Sequence, residues 1–217
     1  MNGKALKHIN IVTRDATNSV KVRVVRSEAL LALRDYTTAL ADGARILRMD
    51  SENVMGYVIR ARAHFGLGDL AQAMKHSRAG LQVDPDHKEC RKHYKGTKKF
   101  EKAEKKAEEE WTRSHTRGAL AAYEPLLDIL STSLPSPALK SKFSHRACAC
   151  LRKLKRPADA VKRCNDAVKA DDRNVEALME RGRAKIDLEQ FEEGVRDFRQ
   201  ANELEPNDRA VSCQCLP

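Results

Sequence analysis

The chain has 217 residues and a mass of 24.4 kDa, enough to bury a core in one or two domains or in one elongated array. Only 5% of it is aromatic while 33% is charged, which suits an Ala/Leu/Lys/Glu-rich helical protein better than a single compact globule. The net charge of +10 comes from 41 Lys and Arg interleaved with 31 acids; no aromatic-plus-basic platform recurs, so nucleic acid is not an expected partner.

Apolar runs such as 54–59 and 126–130 fall far short of the roughly 20 residues that cross a bilayer, so no membrane span is expected. Residues 1–19 read as the remnant of a preceding helical repeat. They lack the apolar core of a secretory signal, and if the chain is complete as written the expected location is the cytoplasm.

From residue 20 onward the chain repeats itself. ALLALRDYTTALADGARILRMDS (29–51) aligns with AHFGLGDLAQAMKHSRAGLQVDP (63–85) at an offset of 34, matching Asp35 to Asp69, Ala39 to Ala73 and Leu47 to Leu81. The spacing predicts two helix-turn-helix repeats, 20–53 and 54–87, with proline closing the second helix at Pro85. DHKECRKHYKGTKKFEKAEKKAEEEW (86–111) then reads as one long helix, capped by Asp86 and lined with solvated Lys/Glu pairs. It leads into a degenerate repeat over 100–133 built on Ala107, Trp111, Ala119 and Tyr123, and STSLPSPALK (131–140) reads as the internal loop.

The same 34-residue offset returns downstream, where Ala160, Cys164, Ala167 and Asp171 match Gly194, Phe198, Ala201 and Glu205. Repeats 141–174 and 175–208 follow, and 209–217 is a tail. Ala61, Ala73, Gly182 and Gly194 fall where two antiparallel helices must approach closely. This is the tetratricopeptide (TPR) pattern. The predicted fold is all-α, a right-handed TPR solenoid divided into 20–87, a bridging segment 88–140 and 141–208.

Three of the six cysteines crowd into CACLRKLKRPADAVKRC (148–164). Cys148 falls on the first helix of its repeat and Cys164 on the second, each facing the other. Either a disulfide or two buried thiols satisfies that geometry, and the redox compartment decides between them. A zinc site from His145, Cys148 and Cys150 fits poorly, because residues two apart on a helix diverge and no second Cys-x-x-Cys completes it. No phosphate loop, nucleophile elbow or His-Glu-x-x-His motif is present, so neither an enzyme nor a cofactor is expected.

LQVDPDHKECRKHYKGTKKFEKAEKKAEE, the 148–164 segment and NVEALMERGRAKIDLEQFEEGVRDFRQANELEPND, in that order and spacing, resemble the DnaJ homolog subfamily C member 3 family of TPR co-chaperones over nearly all of 20–210. The resemblance implies a co-chaperone of the endoplasmic reticulum lumen that binds unfolded client polypeptides. It implies partnership with an Hsp70-type chaperone through a J-domain, and inhibition of a protein kinase. It also implies a Cys148–Cys164 disulfide. The chain departs from the family in containing no His-Pro-Asp tripeptide, so the J-domain is absent from it. Cys90 is also left single, since its family partner position is Gly80.

A TPR array binds along the concave face formed by its first helices. In the first two repeats that face gives an apolar client groove of Val24, Val25, Leu31, Met55, Val58, Ile59 and Phe65; the same stripe could instead be core between stacked helices. In repeat 141–174 it gives a basic groove of Lys142, His145, Arg146, Arg152 and Lys153, which suits the alternative of a cytosolic adaptor for an acidic peptide. The Lys/Asn clamp for a chaperone C-terminal carboxylate is absent: the relevant pairs are Val24 and Glu28, Val58 and Arg62, and His145 and Ala149.

Overall fold

The computed structural model describes residues 19–206, all of whose regular structure is helical. The expected remnant over 1–19 and tail over 209–217 lie outside the described residues apart from Ser19, as do Cys213 and Cys215. Ten helices follow in order: α1 Val20–Ala32, α2 Tyr36–Met49, α3 Val54–Gly66, α4 Leu70–Val83, α5 Lys88–Thr112, α6 Thr116–Thr132, α7 Pro137–Lys153, α8 Pro157–Ala170, α9 Val175–Ile186 and α10 Phe191–Leu204. They form two compact units that divide between Glu101 and Lys102, inside α5, and each is a stretch of TPR helix-turn-helix solenoid.

Local chemistry sets the helix starts. Asp35 and Asp69 accept the N–H of Thr38 and Gln72 at 3.1 and 3.0 Å, and Asn53 and Asn174 accept from Gly56 and Ala177 at 3.3 and 2.8 Å, each covering a backbone donor that the first turn leaves open. The turns inside the repeats then carry one residue in the left-handed region: Arg34, Gly68, Ser114, Lys155 and Glu189, with φ between 56° and 87°.

In the first unit, Leu30, Leu31, Tyr36, Ala39, Ile46, Ile59 and Ala63 form one core cluster. Gly66 is required there, since a Cβ at that position would lie 2.3 Å from the Tyr36 ring. In the second unit Val175, Leu178, Met179, Phe198 and Ala201 form one cluster, and Cys148, Leu151, Ala160, Cys164 and Ala184 another.

Two local expectations are corrected. The long helix starts after His87, whose carbonyl accepts the Arg91 N–H and whose ring accepts the Cys90 N–H at 3.3 Å; Asp86 is instead engaged with the Arg91 guanidinium at 2.9 Å. The Ser/Pro segment is loop only over 133–136, because Ser136 caps Leu139 and Pro137 sits at a first-turn position where its missing N–H costs nothing. The first helix of the 141–174 repeat therefore begins four residues early.

Candidate polypeptide-binding surfaces

The apolar stripe of the first unit is mostly interior. Val58, Ile59 and Phe65 are 1%, 0% and 1% exposed and Leu31 is buried, so four of the seven proposed groove residues are core. Stacking explains it: the Phe65 ring meets Phe100 and His93 of α5 edge-on, with centroids 5.4 and 5.9 Å apart. Val24 is half-buried against the same core, Met55 is half-buried, and Val25 stands 57% exposed.

The basic stripe of the second unit is largely neutralised. Lys142 Nζ lies 2.8 Å from Glu104 and 3.3 Å from Glu108 of α5, and Arg146 pairs with Glu108. Arg152 reaches Glu180 at 3.0 Å and Asp187 at 3.8 Å. Arg146 and Lys153 also sit 5.8 and 5.0 Å from the Trp111 ring, whose face attracts cations. Burial lowers the His145 pKa, against the pull of Glu176 and Glu180, and so disfavours its charged form. The acids lie 28 to 38 residues from their partners in sequence, which is why a repeat-by-repeat reading leaves the stripe positive.

Cys148 and Cys164 are joined as a disulfide between α7 and α8, with Cα atoms 5.4 Å apart. Cys148 is thereby unavailable as a zinc ligand. Cys90 and Cys150 are free and buried, and desolvation raises both thiols, Cys150 to about 11. The Cys90 Sγ–H donates to the Ser77 carbonyl at 3.0 Å, and a Cβ added at Gly80 would lie 2.8 Å from that sulfur. Sequence reasoning missed the buried Ser77 hydroxyl against His93 Nδ1 at 3.0 Å, which no local motif announces. An open cleft of about 850 Å³ in the second unit is floored by Leu120, Leu151 and Leu154; its rim residue Arg163 is held by Glu124 and Asp166.

A tetratricopeptide repeat model matches residues 56–87 and 175–208. The chain is 32% identical over 212 residues to the DnaJ protein P58IPK homolog B of Oryza sativa subsp. japonica, covering 96% of this chain and 44% of that protein. Against the Mus musculus DnaJ homolog subfamily C member 3 the identity is 27% over 191 residues, with 88% and 37% covered. This chain carries a TPR region homologous to the DnaJ P58IPK family. It spans less than half the length of these P58IPK relatives. Its fold is that of the crystal structure of a P58(IPK) TPR domain, at a TM-score of 0.75 and 24% identity, covering 99% of this chain and 59% of that one.

Proposed function

We propose that this chain is the polypeptide-holding TPR region of a P58IPK-type co-chaperone, acting without catalysis in the endoplasmic reticulum lumen and serving an Hsp70 system. The homology to P58IPK proteins along 96% of the chain carries this reading. The Cys148–Cys164 bond supports the lumenal part, because such bonds persist in oxidising compartments. The 217 residues contain no His-Pro-Asp tripeptide, so the role proposed for them is holding a client rather than stimulating an ATPase.

Of the groove residues on the first unit, Val25 with the half-buried Val24 and Met55 remain open, and these are the surface we assign to clients. A double substitution Val25→Asp/Met55→Asp is expected to leave the helical circular dichroism intact and to abolish suppression of aggregation of a chemically denatured client. Undiminished suppression by that variant removes this surface from the function. Failure of the unsubstituted chain to suppress aggregation removes the holdase reading itself. The acidic-peptide reading gains nothing from the second unit, whose cations Lys142, Arg146 and Arg152 already face carboxylates.

A further inference from the structure

The solvent face of α5 within the first unit carries one sign of charge. Lys88, Lys92, Lys95, Lys98 and Lys99 are all exposed, and at about 100° per residue they fall within about 120° of arc around the helix. Cys90, His93, Thr97 and Phe100 occupy the opposite side and are buried. The acids of the same stretch, Glu89 and Glu101, flank the stripe, each about 120° from its centre. The Lys/Glu pairs expected from the sequence do not form there: among the described residues none of the five lysines is in an ion pair, and Arg91, on the same face, is held by Asp86 at 2.9 Å. Lys88 and Lys92, Lys92 and Lys95, and Lys95 and Lys99 are instead like charges three or four residues apart, an arrangement that weakens a helix.

Within the second unit, α5 shows what this spacing recognises. Glu104 and Glu108, four residues apart, meet Lys142 and Arg146 of α7, also four apart, and Lys142 Nζ serves both carboxylates at 2.8 and 3.3 Å. Two helices are thus joined by cations and carboxylates set at matching intervals. Lys88 with Lys92, and Lys95 with Lys99, present the same interval to solvent with no acids opposite them.

We propose that the face of α5 from Lys88 to Lys99 docks a helical segment of a partner protein that carries Asp or Glu at three- and four-residue intervals along one side. The stripe is about 17 Å long and one helix wide, which is the footprint of a helix of about three turns. Its arc holds no apolar side chain to enter a bilayer and no aromatic ring to stack on a base, so charge is all it offers. A second copy of the chain, at a net charge of +10, is repelled. The surface is separate from Val24, Val25 and Met55 and does not depend on the co-chaperone reading: its failure would leave aggregation suppression unchanged.

The test is fluorescence anisotropy of labelled probes with the full chain at pH 7 and low, constant ionic strength. The probes are a blocked Ala/Glu peptide with its glutamates on one helical side, a peptide of the same composition with the glutamates scattered around the helix, a DNA duplex, and phosphatidylserine-containing vesicles read by co-sedimentation. Saturable binding of the one-sided peptide is expected, tighter than that of the scattered one. Lys92→Gln/Lys95→Gln/Lys99→Gln should weaken it roughly tenfold, the sum of three exposed ion pairs, with the helical circular dichroism retained. A control with the same change of charge at exposed positions of the second unit, Lys169→Gln/Arg173→Gln/Arg199→Gln, should bind as the unsubstituted chain does. Equal binding of the two peptides, equal weakening in both triple variants, no saturation, or preference for the duplex or the vesicles would each overturn the assignment.

Discussion

His93 is a titratable side chain largely withdrawn from water, 7% exposed. Its ring is buried between Ser77 and the edge of Phe65, and desolvation together with Arg62 lowers its pKa to about 4. The unfolded chain binds the proton more readily, so the stability that neutral His93 contributes is complete above the unfolded pKa near 6.5. It is lost as the pH falls toward about 4. Denaturant melts of the chain should show a loss of about 2–3 kcal/mol between pH 7 and pH 4 from this group. An unchanged midpoint across that range would refute the burial argument.

A second prediction at this scale concerns Gly80 and Cys90. The position a Cβ would take at residue 80 already lies 2.8 Å from the Cys90 sulfur, close to the separation across a disulfide. Gly80→Cys is expected to oxidise onto Cys90 quantitatively in air, with a gain of about 2–3 kcal/mol for so short a loop, measured by thiol counting and thermal melting. Retention of two titratable thiols would show that α4 and α5 cannot give the few tenths of an ångström required. The resemblance drawn from sequence names this position pair, but only the coordinates show the sulfur waiting there.

At the scale of elements, the left-handed turns are the clearest shared feature. Of the five, only Gly68 uses the residue suited to that backbone; Arg34, Ser114, Lys155 and Glu189 bear the Cβ clash. Lys155 is exposed, so Lys155→Gly is expected to raise stability by about 0.5–1 kcal/mol, read as a higher melting temperature. A lower melting temperature would mean that the Lys155 side chain contributes more than its backbone costs.

The helical repeats were legible because a 34-residue period writes small residues and caps at fixed places, as Ala39 and Ala73 or Asp35 and Asp69 show. Helix starts were less so: Ser136-Pro137 has loop composition and yet is an N-cap followed by a tolerated proline. The proposed binding faces were least legible. Phe65 and Val58 satisfy both the pattern of a groove and the pattern of a packed stripe, and the choice depends on α5, more than twenty residues away. Lys142 and Arg146 look like free charge until Glu104 and Glu108, 38 residues upstream, are placed opposite them.

At the scale of the whole molecule, α5 belongs to both compact units. Cys90, His93, Thr97 and Phe100 are buried in the first, while Ala107 is buried in the second and Glu104 and Glu108 hold the cations of α7 there. A continuous helix of 25 residues lets order in one unit propagate into the next, as nearest-neighbour coupling does in repeat arrays. Glu101→Pro, at an exposed position on the division, removes a backbone donor and forces a break costing about 3 kcal/mol. Calorimetry is expected to resolve two unfolding transitions in that variant where the unsubstituted chain gives one. A single transition in both would place the coupling elsewhere.

The disulfide inside one repeat also bears on the order in which the chain is made. Cys148 and Cys150 leave the ribosome before Cys164, so the last thiol emerges to meet two candidates only two residues apart. In α7 those candidates lie about 200° apart around the helix axis: Cys148 faces α8, while Cys150 lies near Tyr123 of α6. Choice of the correct partner therefore requires α7 to have coiled before the oxidant arrives. Oxidation of the still-extended chain makes the Cys150–Cys164 bond a competing product, one that only thiol exchange can then undo.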